Sequence, residues 1–510
     1  MKNLYKQFCE NKNYSILLFI VILLFIIAVI NISSGGIRGT DQYWYIADVE
    51  SLMHGKNKTN DLYSGLIMGD SSYLLLRPFI HNVLSLYLVL PFAFIFGSYT
   101  GWVVLNSISV LIAAFMILWT INRITGNLLY SLYGFSIFLL NPIILWHTTQ
   151  PLAEASVTPF VAAVVAICAS AQLDFKRTFG IIIILVLANM VRGVFFPLLI
   201  LMPFVYFYLN YSKKSFWKSL FLFLMLIVTT ILLIKFQLII FGESPFGLKD
   251  LLMNALPGGS NMDFYLFEKV HSIDWALVSN KFINSIQKQL WSGDQWFLFY
   301  LSFNIMSILL LYKICNQNSL SLQVIVFALM LLMIHIATVL IHQNQFRYML
   351  IPFPAVLVGS VLVIEKNFNL SDIVLKRILF IVIIGLFALS LPLAIKSRSD
   401  AQKDFVLRQQ IERKVSHIVG KTGRIILCGE TGYSIKAAYT LRPRVIIEFP
   451  SNGSTEYFSR VINRSHPDWL FCDINVMKRL FFEMKWEIPK IVSELQYGGQ
   501  KVVLVALPHR

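Results

Sequence analysis

The sequence predicts a polytopic α-helical membrane protein with a small C-terminal α/β domain. Three observations predict it. Apolar runs of about 20 residues recur through the first part of the chain, the length a helix needs to cross a hydrocarbon core. Of 510 residues, 57% are hydrophobic and 14% are charged, with a mean hydropathy of +0.68. A soluble domain is nearer to half apolar and a quarter charged. After Ile395 the pattern changes to short β-rich runs separated by helical stretches.

The apolar runs lie at 14–32, 79–97, 102–121, 128–147, 154–172, 179–208, 216–241, 296–313, 321–341, 348–365 and 376–395. The first is too long for a signal peptide and lacks a small-residue cleavage site, so it reads as an uncleaved span. Lys2, Lys6 and Lys12 put the N-terminus in the cytoplasm, because cytoplasmic loops carry the excess of basic residues. Run 79–97 contains His81, Asn82, Ser85, Tyr87 and Pro91 and reads as an interfacial or re-entrant helix. With that run on the outer face, Arg123, Lys176 and Arg177 fall inside.

Run 179–208 then has to be two short helices broken near Arg192-Gly193, which puts Lys213, Lys214 and Lys218 inside as well. Lys313, Lys366, Lys376 and Arg377 follow. The result is about 11 spans in a plasma (inner) membrane, with outer connections 33–101, 148–153, 242–295 and 342–347. The net charge of +16 is thereby explained by sidedness, not by a nucleic-acid partner.

Residues 1–395 form the membrane domain on this reading, and residues 396–510 an extracytoplasmic domain. In the latter, 423–428, 444–448, 468–472 and 501–505 read as strands with helical stretches between them, a small parallel α/β pattern. Gly429-Glu430-Thr431-Gly432 follows the first strand but is not the dinucleotide-binding pattern. The five cysteines show no metal-ligand spacing.

Candidate chemistry collects on the outer face. Asp41 lies just past the first span, in Gly39-Thr40-Asp41-Gln42-Tyr43-Trp44-Tyr45-Ile46-Ala47. A carboxylate there can take a proton from an acceptor hydroxyl, or simply cap the helix that follows. Glu154 is a second outer acid, and also suits the first turn of a helix. Arg347, with His342 and Tyr348 beside it, can hold a lipid-linked phosphate at headgroup depth, or snorkel to the interface. Arg77 and Arg192 are further candidates for phosphate or sugar contacts. A polyprenyl phosphate leaves readily once a cation stabilises it. The set therefore suits attack by a hydroxyl on the anomeric carbon of a lipid-linked sugar, through an oxocarbenium-like state.

Four short motifs, in order and on one side, carry a family resemblance. The Asp41 segment resembles the first outer-loop acidic motif of GT-C glycosyltransferases, the superfamily of protein O-mannosyltransferases, the lipid A aminoarabinose transferase and the oligosaccharyltransferase catalytic subunit. Arg77-Pro78-Phe79-Ile80-His81 resembles the stretch leading into that loop's interfacial helix. Asn141-Pro142-Ile143-Ile144-Leu145-Trp146 with Glu154 resembles the second-loop segment ending in an acid. Arg347-Tyr348-Met349-Leu350-Ile351-Pro352 resembles the Arg-Tyr-x-x-x-Pro start of a late span.

The resemblance implies a GT-C-like fold and an inverting transferase that uses an undecaprenyl- or dolichyl-phosphate sugar, with Asp41 central. Gln42 stands where many members have a second acid, which argues against the protein O-mannosyltransferase subgroup. The second loop has one acid where an Asp-x-Asp pair is expected, and no Trp-Trp-Asp-Tyr-Gly-like signature follows the spans. Both departures weaken an oligosaccharyltransferase reading and leave a divalent metal open, with no metal ligand assigned. The acceptor is a lipid, glycan or protein. The competing readings are a lipid-linked glycan polymerase or ligase, and a flippase or transporter. A transporter should carry mid-membrane charges and repeated halves, and the sequence shows no repeat.

Overall fold

A computed structural model describes residues 7–8, 10–38, 40–54, 66–68, 83–170, 174–192, 195–210, 216–241, 350–351, 353–367, 371–420, 423–429, 436–437, 439–441, 445–450, 455–497 and 500–507. The membrane part is built from helices whose apolar length decides their role. Among the described residues, α1 (Lys12–Ser33) and α4 (Ser98–Thr125) are long and apolar enough to cross a membrane, as are Phe216–Leu233 and the helix that starts at Asp372. A fifth is added if α5 (Leu128–Leu140) and α6 (Pro142–Thr148), which meet at 51°, form one span. Proline lacks an N–H for the helix ladder, and Asn141 caps the second half by accepting from the Ile143 N–H at 2.9 Å. The expected spans 296–313 and 321–341 lie outside the described residues.

Between α1 and α4 come α2 (Thr40–Met53), β1 (Leu66–Met68) and α3 (Val83–Phe96). At 14 residues, α3 is about 21 Å long, too short to span a core of about 30 Å. It turns into α4 at Gly97, whose φ is +83°, and packs so closely that a Cβ on Gly101 would lie 2.6 Å from the Ala93 backbone N.

The segment after α6, expected as the second outer loop, holds the four-residue α7 (Ala153–Ser156), followed by α8 (Thr158–Ser170), α9 (Phe175–Val191), α10 (Phe196–Asn210) and α11 (Phe216–Phe241). The expected break in 179–208 is present. Arg192 is extended, at φ −149° and ψ 117°, and ends α9. Later come α12 (Phe353–Asn367) and α13 (Asp372–Ile411).

Helix α13 has 40 residues, or about 60 Å, roughly twice the hydrocarbon thickness. It runs straight through the expected domain boundary at 395/396 and reaches the C-terminal sheet without a linker. A π turn (Glu412–Ser416) and α14 (His417–Val419) extend it.

The sheet that follows has six strands in the order β1-β3-β2-β4-β6-β5, with β2 (Arg424–Gly429), β3 (Val445–Pro450), β4 (Trp469–Asp473), β5 (Ile491–Tyr497) and β6 (Gln500–Ala506). Helices α15 (Thr455–Ser465) and α16 (Ile474–Glu483) lie between strands. Strands β2, β3 and β4 pair in parallel, as expected, whereas β6 pairs antiparallel with β4 and β5. The sheet is mixed because β5 and β6 are joined across Gly498-Gly499, and so short a connection permits only antiparallel neighbours. The other edge strand, β1, comes from the first outer loop and pairs Leu66, Ile67 and Met68 with Ile446, Ile447 and Glu448. The sheet therefore joins two distant parts of the chain.

Side chains alternate across this sheet with the strand period of two. Ile425, Leu427, Phe471, Val502 and Leu504 face one core, which also takes Leu407 and Ile411 of α13 and Tyr43 and Ala47 of α2. Ile426, Leu470, Val503 and Val505 face the other, against Phe458 of α15 and Met477 and Leu480 of α16. Cys428 and Cys472 are register partners on β2 and β4 and form a disulfide, a pairing the spacing did not reveal.

Sidedness can be read directly by cysteine labelling with an impermeant maleimide, in a background whose free cysteines are replaced. Lys403 is 76% exposed on the distal half of α13, and Arg177 is 40% exposed at the start of α9. Lys403→Cys should label on intact cells and Arg177→Cys only after permeabilisation. The reverse pattern would invert the whole topology.

Candidate active site

Helix α2 is held on both sides. Tyr43 and Ala47, four apart, enter the core of the C-terminal sheet, while Tyr45 and Val49 enter the core of the membrane helices. Residues four apart share one helix face, so two opposed stripes of one short helix are each committed to a different domain.

The membrane-side stripe leads to a buried ion pair. Arg192 Nη2 lies 3.0 Å from Glu154 Oε1, with the Glu154 side chain wholly buried. Arg192 Nη1 donates to the Tyr45 hydroxyl at 3.1 Å, and the Tyr45 ring meets Trp102 edge-on at 5.3 Å. The ion pair thus ties the end of α9 and the second outer loop to α2. Burying two charges costs several kcal/mol per ion unless geometry and hydrogen bonds offset it, so such a pair fixes the elements that carry it.

Asp41 is the second residue of α2. It lies one turn before Tyr45, and Asp48 lies one turn after, so 41, 45 and 48 fall on one helical stripe. Asp48 is fully buried. The Asp41 side chain lies outside the described residues, as do Arg77, His342, Arg347 and Tyr348. Of the sequence-derived candidates, the structure brings together Glu154 and Arg192, at the helix stripe on which Asp41 stands. Arg192 is engaged by Glu154 and Tyr45 there.

Arg38, which the sequence reading passed over, staples the site from the segment just before α2. Its Nη1 donates to Ser397 Oγ at 2.6 Å, and its Nη2 donates to the Thr149 carbonyl at 2.8 Å and the Thr149 hydroxyl at 2.7 Å. Its guanidinium stacks 4.4 Å from the centroid of Trp146. Its backbone N–H donates to the Gln42 side chain at 3.0 Å. One residue therefore joins α2, the second outer loop and the distal half of α13. Burial lowers its pKa from the usual value, with Tyr99 and Asp400 acting the other way.

The close approach needs Gly35, where a Cβ would lie 2.5 Å from Ser397 Oγ. Within α4, Asn106 donates to the carbonyls of Gln150 and Leu152 at 2.8 and 3.1 Å, fixing the loop that carries Glu154.

A second buried pair closes the other side of α2. Lys436 Nζ donates to Asp404 Oδ1 at 2.6 Å, with both side chains buried. Tyr43 makes a long hydrogen bond of 3.5 Å to Asp404 Oδ2 and meets Tyr439 edge-on at 5.1 Å. Burial first, and then the Asp404 charge, push the Tyr43 phenol pKa up, so it stays a donor. Glu50 accepts from Ser98 Oγ at 3.0 Å and from the Tyr439 hydroxyl at 3.2 Å. Asp404 and Lys436 are 32 residues apart, and no local signal in the sequence pairs them. Among the described residues, no group of three or more His, Cys, Asp or Glu could hold a metal.

With this geometry in hand, solved structures can be compared. ArnT from Cupriavidus metallidurans bound to undecaprenyl phosphate superposes with a TM-score of 0.61 at 11% identity, over 95% of this chain and 97% of that one. Its apo state gives 0.56 at 10% identity, with the same coverages. The archaeal oligosaccharyltransferase AglB from Archaeoglobus fulgidus, in complex with an inhibitory peptide and a dolichol-phosphate, gives 0.51 at 11% identity, over 89% and 69%.

The chain has the fold of these structures. No protein-family profile matches the sequence, and no curated sequence does. The likeness thus lies in three-dimensional structure, and it covers 95% of this chain.

Removing one partner of a buried ion pair costs about 3–5 kcal/mol. Asp404→Ala and Lys436→Ala should each lower the thermal unfolding midpoint of the purified protein, and the double variant should lose far less than the two losses added. Strict additivity would show that the pair does not hold the C-terminal domain to α2.

Proposed function

We propose that this protein is a membrane glycosyltransferase that moves a hexosyl or pentosyl unit, with inversion, from a polyprenyl-phosphate sugar to an acceptor hydroxyl. The reaction takes place on the outer face of the plasma (inner) membrane and serves cell-surface glycan or glycolipid synthesis. The observation that carries the reading is the convergence of the Asp41 helix on the buried Glu154–Arg192 pair, in a chain with the GT-C fold. The ligands of the similar structures, undecaprenyl phosphate and dolichol-phosphate, support a lipid-phosphate donor. The disulfide between Cys428 and Cys472 supports an oxidising compartment for the C-terminal domain.

In the proposed reaction the acceptor oxygen attacks the anomeric carbon, and Asp41 takes its proton. The bond between that carbon and the phosphate oxygen breaks, and the polyprenyl phosphate leaves with the electron pair. Arg347 holds the phosphate through its planar fork, with Tyr348, His342 and Arg77 around the donor headgroup. Glu154 is the second acidic group. Arg192 is a positioning residue here, since its guanidinium is engaged by Glu154 and Tyr45. Attack and departure on opposite faces of the ring give inversion.

Asp41→Asn keeps the size and the capping ability of the side chain, because Asn and Asp cap comparably. It removes the basicity. Transfer by the purified variant should fall by roughly 10²-fold or more, with donor affinity retained. Full activity with Asn at this position would reduce Asp41 to a helix cap. Arg347→Lys keeps charge but loses the paired hydrogen bonds, so donor KM should rise, and rise further in Arg347→Ala. Parent-like donor saturation in both variants would make Arg347 an interfacial anchor.

A further inference from the structure

A groove of about 700 Å³ opens on the outer side of α2, between the distal half of α13 and the C-terminal domain. Its volume falls within the usual range for small-ligand sites. Arg38, Asp400, Gln402, Gln410 and Lys436 line it, with Gln496 of β5 on the domain side. Arg38 is also the residue that holds Gln42 and Thr149. The groove therefore ends where α2 and the loop leading to Glu154 are joined.

The chemistry of the wall selects the occupant. Val406 and Leu407 are the only apolar side chains among the lining residues, which leaves nothing to hold a lipid tail. Each lysine faces a carboxylate, and the Arg38 guanidinium is held by Ser397 and Thr149. Lys436 is paired with Asp404 at 2.6 Å, and Lys403 faces Asp400 at 4.0 Å, so no cluster of cations awaits a phosphate. Three glutamine amides remain, each presenting both donors and an acceptor, on walls otherwise made of methylene stems.

Hydroxyl edges and C–H faces in alternation are the surface of a sugar ring.

We propose that this groove is the acceptor subsite and that the acceptor is an uncharged, hydroxyl-rich glycan chain. The assignment rests on the glycosyltransferase reading above, and it narrows that reading from lipid, glycan or protein to glycan.

The test uses the full-length protein in nanodiscs and short, reducing-end-labelled oligosaccharides released from the surface glycan of the cells that make it. Gln402 and Gln496 are exposed and stand on opposite walls, so Gln402→Trp and Gln496→Trp fill the groove from two separate elements without touching a core. An unchanged unfolding midpoint checks that each variant is folded. The parent should bind the oligosaccharides, and each variant should bind them at least tenfold more weakly. No binding by the parent, parent-like binding by either variant, or displacement of the oligosaccharide by polyprenyl phosphate alone would overturn the proposal. Binding of a labelled random-sequence peptide pool in place of the sugars would overturn it in favour of a protein acceptor. Turnover of a polyprenyl-phosphate sugar by the parent with water as acceptor is measured separately. Its absence alongside groove-dependent sugar binding would defeat the transferase reading and leave a glycan-binding groove.

Discussion

The ion pair between Glu154 and Arg192 is the contact on which the arrangement around α2 depends. Two opposite charges are buried at 3.0 Å, where each alone would be costly. Glu154 comes from a four-residue helix in a loop, and Arg192 from the broken end of α9. The first is too short to fix itself, and Arg192 is the extended residue at which the second ends. The pair, with the Tyr45 hydroxyl bound to Arg192, sets both against α2.

The opposite stripe of α2 is set by the C-terminal domain. Tyr43 reaches Asp404 and Tyr439, and Lys436 neutralises Asp404. Strand β1 adds a backbone connection from the same outer loop. The uninterrupted α13 gives the domain a rigid mount, and Arg38 locks that helix to the loop bearing Glu154. A helix of 14 residues is marginal by itself. Here its burial on both sides makes its position a property of the whole fold.

Much of this was legible in the chain. The broken helix at Arg192 followed from charge sidedness alone, and four of the strands followed from short apolar runs separated by helical stretches. Four short motifs, in order, carried the GT-C resemblance, and the structure shares its fold with ArnT and AglB. Other features were hidden for physical reasons. Strand β1 is three residues long and is a strand only because β3 offers it an edge. Strand β5 lacks a clean alternation, although Gly498-Gly499 between it and β6 is a hairpin signal. The role of Arg38 rests on Thr149 and Ser397, 111 and 359 residues away, and no local pattern marks it. Asp404 and Lys436 look like surface charges in sequence and become buried partners only when two domains meet.

The central claim is that Glu154 and Arg192 act as one unit in transfer. A kinetic double-mutant cycle tests it most directly, with the transfer rate measured for Glu154→Gln, Arg192→Met and the double variant on purified, folded protein. Groups that act as a unit are strongly non-additive, so the double variant should be no slower than the worse single variant by more than a small factor. If the two losses multiply in full, each residue works independently, and the ion pair is not what organises the site.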